Sequence, residues 1–263
     1  MRDETSRRAF AALAATSAVG ALAGCSQSEP DEESTSESEA TIEVDENAQV
    51  SFAEPRDGAT ATNGVTVAME AENFTVEESG EVNENAGHFH VIVDEGPVET
   101  GETIPNDDAH LHYGDGSSRT VLDLAAGSHE LTLQVGDGQH RALPLTDTVE
   151  VTVEEASVSF AAPEDGATVE SPVAFEFESS GSLEAEPSGE LSQAAGHYHL
   201  IVNEGAVETG EVIPNDDGHI HFGDGSTSAE VELPEGTHDL TLQMGDGEHR
   251  ALPETDEVTL TVE

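Results

Sequence analysis

The sequence predicts an all-β protein built from two tandem β-sandwich domains. Three observations lead there. The second half of the chain repeats the first at a nearly constant offset. Within each copy, short apolar runs alternate with small or polar residues. No stretch after residue 48 has a convincing helical period.

The repeat is explicit. Val50-Ser51-Phe52-Ala53 returns as Val158-Ser159-Phe160-Ala161, and Asp57-Gly58-Ala59-Thr60 returns as Asp165-Gly166-Ala167-Thr168. From Gly80 and Gly189 onward the spacing grows by one residue, so the copies differ by one small indel. Each copy is about a hundred residues, the size of one domain. The expected division is residues 48–154 for domain 1 and 158–263 for domain 2. The connector between them is so short that their relative orientation should be restricted.

The strands follow in chain order. Val65-Thr66-Val67-Ala68-Met69-Glu70-Ala71 alternates apolar with small or polar residues, as a half-buried strand does. Phe89, Val91 and Val93 form one face of a second run, and His88, His90 and Ile92 form the other. Leu131, Leu133 and Val135 alternate with Glu130, Thr132 and Gln134, and Val149, Val151 and Val153 close the unit. Asp-Gly, Pro and Gly clusters separate these runs as turns. Several short strands in a hundred residues imply a sandwich.

The first 47 residues read differently. Ser6-Arg7-Arg8-Ala9-Phe10 resembles the twin-arginine export motif, and an alanine-rich apolar run too short to span a membrane follows to Ala23. Leu22-Ala23-Gly24-Cys25 resembles a lipobox. Residues 1–24 are therefore expected to be a signal, with lipidation at Cys25. As the only cysteine, Cys25 leaves no intramolecular disulfide possible. Residues 25–47 are rich in Ser, Glu, Asp and Thr, a composition that cannot bury enough surface to offset ordering entropy. They are expected to be a disordered acidic tether, extended by its own charge. The mature protein would then be lipid-anchored to the outer face of the cytoplasmic membrane.

Composition narrows the partners. There are 57 acidic and 7 basic residues, no lysine, and a net charge of −50. Self-repulsion of that size opposes a compact state in dilute salt. At molar salt the Debye length falls to about 3 Å and most of it vanishes. The bias resembles proteins of halophilic archaea. With no basic patch available, nucleic acid is excluded as a partner.

The chemistry lies in the histidines. All twelve fall into two matched sets, His88, His90, His110, His112, His129, His140 and His197, His199, His219, His221, His238, His249. Residues i and i+2 of a strand share a face, so His88 with His90 and His110 with His112 are same-face pairs. Cross-strand Cβ atoms lie about 4.5–5.5 Å apart and metal–imidazole bonds are about 2.0 Å, so rings on neighbouring strands can converge on one ion. His140 follows a Gly-Asp-Gly turn that can carry it over the same place. The expected ligands are His88, His90, His110, His112 and His140 in domain 1, and His197, His199, His219, His221 and His249 in domain 2. Asp115 and Asp137, with Asp224 and Asp246, are expected to ligate or to orient these imidazoles.

With methionine scarce and the cysteine lipidated, the donors favour copper(II), zinc or nickel over copper(I). The opposing possibility is that the imidazoles simply hydrogen-bond loop backbone or, protonated, pair with carboxylates. The Gly-Asp-Gly segments read as turns rather than calcium loops. Arg141 and Arg250 are expected to pin the carboxylate of the preceding turn or to accept an anionic ligand.

Two segments carry a resemblance. Leu124-Ala125-Ala126-Gly127-Ser128-His129-Glu130-Leu131-Thr132-Leu133, and its copy from Leu233 to Leu242, resemble the loop-to-strand corner of bacterial immunoglobulin-like and fibronectin-type domains. There an aromatic residue two positions after the glycine anchors the corner. His129 and His238 occupy that place and are read as corner residues. Each unit as a whole combines Gly-His-aromatic-His, His-(Leu/Ile)-His-(Tyr/Phe)-Gly-Asp-Gly and Leu-Thr-Leu-Gln-x-Gly-Asp-Gly-x-His. In this it is similar to the family called domain of unknown function 4399, which implies an immunoglobulin-like fold and an exported location.

Three functions compete. One is a surface lipoprotein whose two His-rich immunoglobulin-like domains bind a divalent transition metal. A second is a non-catalytic adhesion or envelope module with structural histidines. The third is a copper enzyme loosely resembling copper–zinc superoxide dismutase, although the second His-x-His departs from that pattern and the paired cysteines are missing. No hydrolase nucleophile motif and no phosphate or dinucleotide loop is present, so the chain is expected not to be an enzyme.

Overall fold

The computed structural model describes residues 43–263. The expected signal, Cys25 and most of the acidic tether lie outside the described residues. Residues 44–47, expected to end the tether, are instead held to domain 1. Val44 packs against its core, and the Asp45 amide donates to the Asn85 side chain at 2.9 Å. The Asn73 side-chain amide also donates to the Asn47 carbonyl, at 3.1 Å. Among the described residues, no helix is long and apolar enough to cross a membrane.

Domain 1 comprises nine strands: β1 (Gln49–Glu54), β2 (Ala59–Thr62), β3 (Gly64–Glu72), β4 (Thr75–Val76), β5 (Ala86–Val93), β6 (His110–Tyr113), β7 (Arg119–Asp123), β8 (Gly127–Gly136) and β9 (Ala142–Glu154). One sheet has the order β1-β3-β7. The other has the order β2-β9-β8-β5-β4, with β6 also on β5. The chain starts in the first sheet as β1 and crosses to the second as β2, which runs parallel to β9. Two facing antiparallel sheets with this crossed first strand are the immunoglobulin-like arrangement.

Domain 2 repeats it with β10 (Ser157–Ala162), β11 (Thr168–Val169), β12 (Val173–Ser180), β13 (Glu184–Ala185), β14 (Ala195–Val202), β15 (His219–His221), β16 (Ser228–Val231), β17 (Gly236–Gly245) and β18 (Ala251–Val262). Its sheets are β10-β12-β16 and β11-β18-β17-β14-β13, with β15 on β14.

Alternation places the core. Phe89, Val91, Leu131, Leu133 and Val151 point from one sheet toward Val65, Val67 and Met69 of the other, and all are buried. Tyr198, Leu200, Leu240 and Leu242 meet Phe175 and Phe177 in domain 2. Burying such a side chain is worth about 1.5–3 kcal/mol, so each core is ample for a stable domain.

The copies differ in one respect. β12 alternates buried and exposed as a half-buried strand should, but β3 is buried on both faces from Gly64 to Met69. The reason is contact between the domains. Leu252 and Pro253 pack on Gly64, the Gln193 side chain donates to the Thr66 carbonyl at 2.7 Å, and Val121 enters the core of domain 2. Arg119 pairs with Glu248 at 3.0 Å across the same junction. The short connector thus has a packed interface beside it.

Candidate metal centre

β5 carries His88 and His90 on the face opposite Phe89 and Val91. Both imidazoles are nonetheless fully buried, because loops cover that face. Register brings the next ligand. His90 lies opposite His112 of β6 on one side and Gln134 of β8 on the other, while His88 lies opposite Gly136. The Gln134 side-chain amide donates to Val98 O and accepts from Val98 N, at 2.9 and 2.8 Å, pinning the loop after β5. Gln243 and Val207 repeat both bonds. Sequence reasoning sees that glutamine only as part of a strand.

His140 arrives from the β8–β9 turn. It adopts φ +66°, and its counterpart His249 adopts +67°. This left-handed backbone is uncommon for a residue with a Cβ and costs on the order of 1 kcal/mol or more. The turn holds it there. Buried Asp137 accepts hydrogen bonds from the backbone amides of Gln139 and Arg141, and the His140 amide donates to the Asp137 carbonyl. Asp246 binds the amides of Glu248 and Arg250 in the same way.

Four imidazoles therefore converge. The Nε2 atoms of His88 and His90 are 3.1 Å apart, and those of His112 and His140 are 3.0 Å apart. All six ring-centroid separations lie between 4.6 and 6.0 Å. Domain 2 reproduces this: 3.0 Å for His197–His199 and 3.1 Å for His221–His249. His88, His90 and His112, like His197, His199 and His221, offer donor atoms within 4.8 Å of one another and can hold a metal ion.

Space for the rings is reserved by glycine. A Cβ on Gly136 would sit 2.8 Å from His90 Nε2, and one on Gly245 would sit 3.0 Å from His199 Nε2. A Cβ on Gly114 or Gly223 would overlap the ring of His112 or His221.

Burial first, and the neighbouring imidazoles second, hold His88, His90 and His112, with His197, His199 and His221, neutral. The pKa values of His88 and His197 are lowered to about 4, that of His90 to about 3 and that of His199 to about 2. Those of His112 and His221 are lowered by burial and by His140 and His249 respectively. A neutral ring is the form that binds a metal. Among the described residues, these eight side chains make hydrogen bonds only with one another. Nδ1 of His88, His90, His197 and His199 is buried without a partner.

Not every expected ligand joins. His110 and His219 stay outside both clusters. In β6, His110 is opposite Ile92 rather than His90, and Asp107 captures its Nδ1 at 2.7 Å. Asp216 holds His219 Nδ1 at 2.8 Å. The carboxylates also depart from expectation. Asp137 and Asp246 bind backbone amides, and Asp115 and Asp224 accept from the amides of Ser117 and Ser226 in their own turns. None hydrogen-bonds a clustered imidazole, because Asp-Gly turns draw the carboxylate back onto the local chain.

His129 and His238 are corner residues. Their Nε2 atoms donate to Ala125 O and Pro234 O, both at 2.8 Å. Their other nitrogens differ. His129 Nδ1 meets the Asp94 carboxylate at 2.8 Å, whereas His238 Nδ1 accepts from Asn203 at 3.2 Å. Burial alone would lower the His129 pKa, but the bonds to Ala125 and Asp94 raise it overall. Its contribution to stability is full below pH 6.5 and fades as pH rises through the elevated folded value. In Asp94→Asn the corner becomes that of domain 2, so NMR titration should find His129 shifted down. An unchanged titration would refute the carboxylate's role.

Solved structures similar to the chain include the fibronectin(III)-like modules of CbhA from Clostridium thermocellum, at 16% identity over 82% of this chain and 94% of that one, with a TM-score of 0.25. The I9–I11 tandem of titin is 14% identical over 82% and 66%, with a TM-score of 0.26. Three N-terminal domains of the outer capsid protein Hoc of bacteriophage RB49 are 10% identical over 82% and 70%, with a TM-score of 0.28. No curated protein matches. The model of the domain of unknown function DUF4399 matches twice, at residues 67–154 and 175–263, and the chain belongs to that family as a tandem of two such domains.

Proposed function

We propose that each domain binds one divalent transition-metal ion, copper(II) or zinc, and that the chain is a surface-anchored metal-binding lipoprotein rather than an enzyme. The ligands are His88, His90, His112 and His140 in domain 1, and His197, His199, His221 and His249 in domain 2. One observation carries this: in each domain two buried and two more open imidazoles meet each other's Nε2 atoms and no backbone carbonyl or carboxylate. Histidines serving only to tie loops would hydrogen-bond loop backbone, as His129 and His238 do.

The donor spacing fits. Donors about 2.0 Å from a tetrahedral ion lie about 3.3 Å apart, and an all-nitrogen set suits both zinc and copper(II). Bound there, the ion replaces the proton that each facing Nε2 pair must otherwise share. Orientation comes from strand backbone, glycine clearance and the Asp137 or Asp246 turn. The surface location rests on Leu22-Ala23-Gly24-Cys25 and the twin-arginine-like start.

Titration of the metal-free full chain with copper(II) and with zinc in molar salt should give two ions per chain, followed by elemental analysis after dialysis. Uptake of neither metal by folded protein would overturn the reading.

A further inference from the structure

We propose that the cavity between the two domains is a binding site for a small oxyanion, a carboxylate or a phosphate. The cavity also borders His112 of the domain 1 cluster, so the proposal is tested on metal-free protein, where its failure is separate from that of the metal reading. The cavity measures about 440 Å³ and is lined by Arg119, Thr120 and Asp115 from domain 1 and by Thr209, Glu211 and Arg250 from domain 2.

Arginine is the first observation. Only four of the chain's seven basic residues lie in the described part, Arg56, Arg119, Arg141 and Arg250, and two of them line this one cavity. In a chain with 57 acidic and 7 basic residues, a lining with two guanidinium groups and two carboxylates, Asp115 and Glu211, is far less acidic than the chain as a whole.

The second observation is a difference between the copies. In domain 1, Arg141 is committed: its Nε donates to buried Asp137 Oδ2 at 2.8 Å. In domain 2 the same bond is broken. Arg250 turns to donate through Nη1 to Gly210 O at 2.8 Å, and both its Nε and Asp246 Oδ2 are left without partners. Gly210 belongs to the segment that packs on Thr120 and Val121 of domain 1. The domain junction therefore draws Arg250 off its carboxylate and onto the cavity wall.

Arg119 is the other half of the asymmetry. Its counterpart in domain 2 is Ser228, so this guanidinium exists only where the domains meet. It pairs with Glu248, itself the counterpart of Gln139. A guanidinium released from its carboxylate and lining a roomy polar space with threonine hydroxyls matches an oxyanion through charge-assisted hydrogen bonds. The arrangement needs both domains, because Arg119 comes from one and Arg250 from the other.

The test is calorimetry on the full chain, freed of metal on a chelating resin, with acetate, citrate and inorganic phosphate at constant ionic strength. One saturable site per chain, with a rise in melting temperature, is expected for at least one anion, and the ranking of the three names the oxyanion. Arg250→Gln should weaken binding about 10-fold or more, the scale of a lost charge-assisted bond. Arg56→Gln, on the exposed surface, should leave it unchanged. If Arg250→Gln does not fold, Arg119→Gln at its half-exposed strand end gives the same comparison. Absence of saturable heat and of any melting shift with all three anions would overturn the proposal. So would an affinity unchanged in the arginine variants.

Discussion

Replacing His90 and His112 together by alanine is expected to reduce the metal bound per chain from two ions to one. The two residues face each other across β5 and β6 and supply half of the domain 1 donors. Structural zinc sites bind with about 10–16 kcal/mol, so losing half the donors removes several orders of magnitude in affinity. The domain 2 site should remain, because its ligands come wholly from β14, β15 and the β17–β18 turn. The complementary His199→Ala/His221→Ala variant should empty only the other site, and the two together should abolish binding. His110→Ala is the discriminating control, since that ring is held by Asp107 outside the cluster. Undiminished stoichiometry in the His90→Ala/His112→Ala protein would refute the ligand set. Loss of metal in His110→Ala equal to that in the double variant would refute the geometry that separates the two rings.

Acidification is expected to unfold the metal-free protein and to release metal from the loaded one. The sign follows from the lowered folded values. His88 and His90 titrate at about 4 and about 3 in the folded chain and near 6.5 once unfolded. Between those values the unfolded state binds more protons, so stability falls as pH drops below 6.5. Each pH unit separating the folded from the unfolded titration is worth about 1.4 kcal/mol, and the burial of these rings makes the combined effect on the order of several kcal/mol per domain. A small domain holds only about 5–15 kcal/mol in total. Circular dichroism melting of the metal-free chain should therefore show a steep fall between pH 6.5 and 4. Bound metal holds the same nitrogens deprotonated, so the loaded protein should resist to a lower pH and then lose metal and fold together. Identical acid profiles with and without metal would sink the ligand argument, and a metal-free melt unchanged between pH 6.5 and 4 would sink the buried-imidazole one.

The origin of these two effects is unequally legible in the sequence. That His88 and His90 share a face follows from strand periodicity, whatever the rest of the fold. Periodicity also pairs His110 with His112, yet only His112 joins the cluster. The choice is made by register and by a local competitor: His112 falls opposite His90, His110 falls opposite Ile92, and Asp107 three residues earlier captures the latter ring. The Gly-Asp-Gly turn is enough to bring His140 near the site, but its left-handed backbone depends on Asp137 being buried and bonded to two amides. The glycines beside the rings read as turn residues in the sequence. In the fold, Gly136 and Gly114 are also clearances for imidazoles.

The amino-acid order alone settled the duplication, the all-β class and the face of β5 that carries imidazole. These depend on residue type and on a spacing of two, which any strand obeys. Tertiary structure decided which ring nitrogens meet, why β3 is buried on both faces, and why Arg250 leaves the carboxylate that its twin Arg141 keeps. Those outcomes depend on distances between segments far apart in the chain, and near-identical motifs acquire different partners once one copy packs against the other.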